Sequence, residues 1–232
     1  MQVKRIEMKK GMRIQLLTCL IAAFTSSCGT QNEVEAETDV HEQFTEVTPI
    51  HPGTYSGILP CADCQGILTT VELRKNGIAV VSSVYLGKDE TPYILFGLVE
   101  YYDTLAIIQG GKDLNMKFKG FDKSILILDE QGNTIDSDLN YILDTSSEKI
   151  DLSKPFNANV KYFYMADAHI ISLGSEIYPV LMNDLNFEVE KMFIQLPNEL
   201  RDNYYITAKL RIVEALNMED ERKPHVEILE LR

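Results

Sequence analysis

Short alternating segments, each closed by turn residues, fill the sequence from Tyr55 to Leu143 and leave no stretch with a helical period. Ile67 to Leu73 carries Thr69, Thr70 and Val71 and runs into Lys75-Asn76-Gly77, a hairpin signal because Asn-Gly supplies the left-handed backbone of a tight turn. Ile78 to Leu86 reads as the return strand, and Tyr93 to Val99 and Thr104 to Ile108 follow. Gln109-Gly110-Gly111-Lys112-Asp113 makes another turn, after which Leu114, Met116 and Phe118 alternate with polar neighbours. Ser124 to Leu128, a turn at Asp129 to Asn133, and Leu139 to Leu143 complete the series. Connections this short join antiparallel neighbours, since a parallel pair needs a long crossover. About eight such strands in roughly 90 residues predict an up-and-down sheet that closes, or nearly closes, into a barrel.

The pattern then changes. Asp144 to Pro155 is polar, with Thr145, Ser146, Ser147, Glu148, Lys149 and Asp151, and a domain boundary is placed there, giving a first domain over 51–146 and a second over 155–232. Ala158 to Tyr164, Ala168 to Leu173 and Ile177 to Leu181 read as strands. Leu185, Val189, Met192 and Leu196 recur at spacings of three and four, so Asn183 to Leu196 reads as one amphipathic helix ended by Pro197. Tyr204 to Val213 and Val226 to Leu231 return to strand. Three strands, a helix and two strands fit an OB-like barrel. The fold class expected is therefore mainly β.

The amino terminus has a different character. Lys4, Arg5, Lys9, Lys10 and Arg13 precede the apolar run Ile14 to Phe24, which is shorter than the roughly 20 residues a spanning helix needs. With small residues leading to Cys28, residues 1–27 read as an export signal. Thr25-Ser26-Ser27-Cys28 resembles a lipobox, with threonine where leucine is commonest, so Cys28 is the expected site of lipidation and palmitate the expected kind of covalent group. Residues 28–50 hold Glu33, Glu35, Glu37, Asp39, Glu42 and Glu46 with little apolar surface to bury, and are read as an acidic flexible tether spanning about 26 Å. Residues 1–27 contain five of the 22 Lys and Arg and one of the 35 Asp and Glu, so the mature chain carries 17 basic against 34 acidic residues. That balance opposes binding to nucleic acid and to anionic membrane surfaces, which both require clustered cations. Attachment to a membrane must then come from lipid.

With Cys19 removed in the signal and Cys28 acylated, Cys61 and Cys64 are the thiols left for other chemistry. Exported chains meet oxidising conditions, and two cysteines three apart can close a disulfide contributing about 2 kcal/mol on the chain-entropy estimate. Reduced, the same pair suits a soft ion such as Cu(I), whereas a closed zinc site would need further ligands from Asp63, a histidine or a partner chain. Thiol–disulfide exchange is a third use, in a setting that lacks the βαβ unit of a thioredoxin-like site. His51 is read as an edge histidine and His169 as facing solvent or a satisfied pocket. Met116, Met165, Met182 and Met192 are read as core filling. Gly110-Gly111 lies in a hairpin and opens no helix, and no HExxH, GxSxG or Walker sequence occurs, so no enzyme is expected.

The string Gly53-Thr-Tyr55-Ser-Gly57-Ile-Leu-Pro60-Cys61-Ala-Asp-Cys64-Gln-Gly66-Ile67 resembles the NlpE family of outer-membrane lipoproteins. Tyr85-Leu86-Gly87, Gly132-Asn133-Thr134-Ile135, Leu139-Asn140-Tyr141 and Tyr162-Phe163-Tyr164-Met165-Ala166-Asp167-Ala168 extend the resemblance along the mature chain. It implies a lipocalin-like barrel followed by an OB-like domain with one helix. It further implies a non-catalytic lipoprotein of the cell envelope, anchored by lipid at the outer membrane on its periplasmic face. The family's roles are copper resistance and the sensing of envelope or surface stress, with an envelope stress sensor protein as partner and copper ion as the candidate cofactor at Cys61 and Cys64. Two other uses of such a chain are direct Cu(I) or thiol-redox work by that pair and carriage of an apolar ligand in the first barrel. Some members have a disulfide in the second domain; this chain has no cysteine after Cys64.

Overall fold

The computed structural model describes residues 46–111, 114–216 and 221–232; Cys28, the export signal and most of the expected tether lie outside them. Eight strands form the first barrel: β1 (Gly53–Leu59), β2 (Ile67–Leu73), β3 (Ile78–Tyr85), β4 (Asp89–Tyr102), β5 (Leu105–Gly110), β6 (Leu114–Phe121), β7 (Ser124–Ile127) and β8 (Ile142–Ser146). Each pairs antiparallel with the next, β8 returns to β1, and β5 pairs with the lower part of β4, so the ring is closed. Alternation does the sorting. Tyr55, Val71, Val81, Ile108, Phe118 and Leu143 are buried in one contiguous cluster inside the ring, while their neighbours along each strand face outward.

The Asn76-Gly77 hairpin forms as its chemistry requires: Gly77 takes φ 79°, and the Asn76 side chain accepts from the Ile78 amide at 3.2 Å. Strand β4 runs well past the expected Tyr93 to Val99 at both ends, and two segments at the ends of the barrel depart from expectation in kind. The last strand of the barrel begins at Ile142 and not at Leu139, because the Ser137 hydroxyl accepts from the Leu139 amide and Asn140 Oδ1 from the Ile142 amide, which holds this stretch in local turns. The expected tether also ends before Ile50: Val47 bridges Phe121, the Thr48 amide donates to the Gly120 carbonyl at 3.1 Å, and Ile50 is buried in the first barrel's core.

Five further strands build the second barrel: β9 (Phe156–Met165), β10 (Ala168–Leu173), β11 (Glu176–Pro179), β12 (Tyr205–Leu216) and β13 (Arg222–Leu231). β9 pairs with β10 and β12, β10 with β11, and β12 with β13. A parallel bridge between Val180 and Val226 brings the end of β11 beside β13, which completes the OB strand order around the ring. Between β11 and β12 lie α1 (Asp184–Gln195) and the single turn α2 (Asn198–Arg201). Asn183 caps α1, its side chain accepting from the Leu185 and Asn186 amides. The buried face of α1 is Asn186, Val189 and Phe193, so the apolar stripe read through Met192 sits one residue out of step. Phe193 wins the inward position because its ring meets Tyr162 at 5.6 Å and Tyr204 at 5.7 Å, contacts that hydropathy alone does not encode. Met192, Met165 and Met182 are exposed, and of the four methionines taken as core filling Met116 packs against the core.

The two barrels belong to one compact unit. Ile78, Val80 and Ile94 point out of the first barrel and join the cluster formed by Phe156, Ala158 and Val160 of β9. A parallel bridge between Tyr93 and Asn157 marks where β4 meets β9. Among the described residues no helix is long and apolar enough to cross a membrane.

Candidate functional site

The segment between β1 and β2 carries the cysteines. Pairing of the two strands runs up to Leu59 opposite Ile67, so residues 60–66 form a loop at one end of the first barrel. The loop is docked on the turn between β3 and β4. The Gln65 amide donates to the Leu86 carbonyl at 3.2 Å, and the Leu86 amide donates back to the Gly66 carbonyl at 3.0 Å. Gly87, at φ 77°, lies so close to the Gln65 side chain that an added Cβ would sit 2.9 Å from its nitrogen. The Lys88 ammonium forms an ion pair with the Asp63 carboxylate, closing the contact from the solvent side.

Within this frame Cys61 and Cys64 are joined as a disulfide, with Cα atoms 5.4 Å apart. Both cysteines are half-buried, while Ala62 and Asp63 between them are exposed. Hydrogen bonding from Lys88, and then its charge, holds the Asp63 carboxyl below the usual carboxylate range. One sulfur from each cysteine and one Asp63 oxygen lie within 4.8 Å of one another, a spacing compatible with a shared ion if the disulfide is reduced. The bonded sulfurs carry no thiolate, so the pair is neither nucleophile nor metal ligand until two electrons are supplied.

His51 does not reach this loop. It precedes β1, at the end of the strand opposite Cys61, and its carbonyl accepts from the Tyr55 hydroxyl at 2.9 Å. His169 is in the second barrel, buried, with Nδ1 at 2.7 Å from the Tyr162 hydroxyl. Sequence reasoning missed Lys88, which lies 25 residues from Asp63 and becomes its partner only because a hairpin returns β3 to the level of the loop. Tyr85-Leu86-Gly87 was visible only as a string resembling the family, with Leu86 read into the strand that ends at Tyr85; neither the turn nor its docking role was read from it.

Residues 55–138 match the NlpE N-terminal domain family, a range that includes the disulfide loop and the turn it rests on. Lipoprotein NlpE of Escherichia coli (strain K12) is 32% identical over 151 residues, which are 64% of this chain and 63% of that protein. The chain thus spans less than two thirds of the length of that relative. A crystal structure of a Shewanella oneidensis protein has 34% identity, covering 42% of this chain and 90% of the other, with a TM-score of 0.36. The crystal structure of the Cpx pathway activator NlpE from Escherichia coli has 23% identity and covers 77% of this chain and 92% of its own, also with a TM-score of 0.36.

Proposed function

We propose, from the match of residues 55–138 to the NlpE N-terminal domain family, that this chain is a lipid-anchored, non-catalytic lipoprotein of the bacterial envelope that reports envelope or surface stress. The observation that carries the proposal is the family match across the disulfide loop and its docking turn, on a chain whose amino terminus reads as an export signal ending at Cys28. Lipid on Cys28 would hold it at the outer membrane, on the periplasmic face. The acidic stretch would keep the barrels off the bilayer, with the rim bearing Cys61 and Cys64 free to meet an envelope stress sensor protein. The test is a deletion strain of the source bacterium, complemented with wild type or Cys28→Ser. Envelope-stress transcription after surface adhesion is expected to fall on deletion, and wild type but not Cys28→Ser should restore it. Equal transcription in all strains would overturn the proposal.

The grouping of Cys61, Asp63 and Cys64 favours a second reading, in which reduction of the disulfide yields a Cu(I) site that supports copper resistance. Two thiolates suit this soft, low-coordinate ion. Reduced mature protein is expected to hold one Cu(I) against a competing chelator, and Cys61→Ser/Cys64→Ser to lose that binding. Equal affinity in the two proteins rules the thiol site out.

A further inference from the structure

The second barrel covers only part of the outer face of β2, β3 and β4. Val80 and Phe96 pair across strands on that face and are packed into the second barrel's cluster. Nearer the disulfide end the face stays open. Leu68 pairs with Val84 and Thr70 with Ser82, and these four side chains line a groove of about 570 Å³. Pro92 and Ile94 of β4 line it too, as do Ile150 and Pro155 from the segment that joins the barrels. Small-molecule sites have volumes of roughly 300–1,000 Å³ and favour junctions between domains. The inside of the first barrel is taken by its own core, with Val71, Phe118 and Leu143 fully buried. Room for an apolar chain is offered by the outer face.

Glu90, Glu148, Asp151, Lys149, Lys154 and Lys209 border the groove, and they are not equivalent. Lys154 lies 3.7 Å from Asp151, whose carboxylate also accepts from the Ser153 amide and hydroxyl, so that pair is neutral. Glu90, Glu148 and Lys149 are exposed, where water screens their charge. Lys209 is half-buried. Its neighbours Ala208 and Leu210 face the second barrel's core, so its own side chain is turned out of that core and lines the groove. Among the described residues Lys209 makes no ion pair, and Asp89, which feels its charge, is paired with Arg232 at 3.8 Å. An ammonium drawn partly out of water without a partner favours an anion beside it.

We propose that this groove binds a single-chain amphiphile of the fatty-acid class, its carboxylate on Lys209 and its alkyl chain over Leu68 and Val84 beside Ile150. The carboxylate supplies Lys209 with a charge-assisted hydrogen bond. An unbranched chain asks nothing of the lining but apolar contact. Ile58, 52% exposed and paired with Leu68, continues that contact past the edge of the groove.

The test is calorimetric titration of the mature chain with sodium dodecanoate below its micellar concentration. The protein carries Cys28→Ser, so that no lipid of its own competes. Lys209→Gln, Leu68→Gln and Ile177→Gln are compared with it, each checked for folding by circular dichroism. Leu68 and Ile177 are 39% and 68% exposed, so neither change empties a core position, and Ile177 lies on β11, outside the groove. One dodecanoate is expected to bind, with decanoate, two methylenes shorter, about tenfold weaker. Affinity for dodecanoate should fall at least fivefold in Lys209→Gln and in Leu68→Gln and stay unchanged in Ile177→Gln. Dodecyltrimethylammonium, the same chain with a cationic head, should bind at least tenfold more weakly than dodecanoate, a preference lost in Lys209→Gln. Absence of dodecanoate binding, undiminished affinity in Leu68→Gln, or equal affinity for the two head groups would each overturn the proposal.

Discussion

Gly97→Val is expected to open the first barrel. Gly97 lies on β4 just beyond the stretch Leu98–Tyr102 that pairs with β5, at one of the strand junctions on which the closed ring depends. A Cβ there would lie 2.6 Å from the Gln109 carbonyl oxygen and 2.8 Å from a methyl of Leu114. The first obstacle is backbone, fixed by pairing of Leu98 with Gln109, and the second is a core side chain that is 3% exposed. Gly110, across the junction, has no room to give, since its own Cβ would sit 2.3 Å from the Phe96 carbonyl oxygen. Overpacking a core costs about 1–3 kcal/mol where neighbours can shift. Here a ladder of hydrogen bonds must part as well, so about 3 kcal/mol or more is expected, a fall in Tm of roughly 6–12 °C for a protein of this size. Gly53→Ala is the control: nothing lies nearer than 3.9 Å to its Cβ, and the change should stay within about 0.5 kcal/mol. Thermal unfolding followed by far-ultraviolet dichroism measures both. Equal Tm values for the two variants would mean that this junction does not hold the ring.

The same junction shows what the sequence could and could not disclose. Strand identity was legible because alternation and turn chemistry are local: Ile67–Leu73 has the bounds read from it, and Asn76-Gly77 turns where its backbone preference places it. Closure of the ring through β8 and β1 was legible only as an expectation, and so was the close approach at Gly97 and Gly110, because a glycine in a strand does not announce which backbone it touches. The β8 boundary was missed because Leu139 and Tyr141 look like strand residues, while Ser137 and Asn140 settle the matter with hydrogen bonds to backbone amides two residues on. Phe193 and Met192 are both apolar, and only the waiting rings of Tyr162 and Tyr204 decide which turns inward. At the candidate site, Cys61 and Cys64 were conspicuous as residues, but Lys88 is one surface lysine among many until the fold sets it against Asp63. The His169–Glu190 pair was opaque for the same reason: a strand and a helix have to meet before the two side chains do.

Val80→Asp is expected to unfold both barrels together. Val80 lies on β3, with its side chain outside the first barrel, yet it is fully buried because the cluster around Phe156 covers it. Its cross-strand neighbours are Glu72 on β2 and Phe96 on β4, so a carboxylate at position 80 would face like charge on one side and an apolar ring on the other. An unpaired buried charge costs several kcal/mol even after relaxation, and a like charge directly opposite adds to it. Val80→Ala removes the same methyl groups without adding charge, and should cost about 2 kcal/mol from lost burial and the small cavity left behind. The informative measurement is amide hydrogen exchange read separately on β6 and β7, deep in the first barrel, and on β12 and β13 in the second. A polar segment between two strand-rich regions led the sequence reading to place a domain boundary at Asp144–Pro155, which taken alone predicts independent stability. A core that draws Ile78, Val80 and Ile94 into the packing of the second barrel predicts that protection falls in both sets of strands in parallel, by similar free energies. Loss of protection confined to one barrel would mean that the shared cluster is contact without cooperativity.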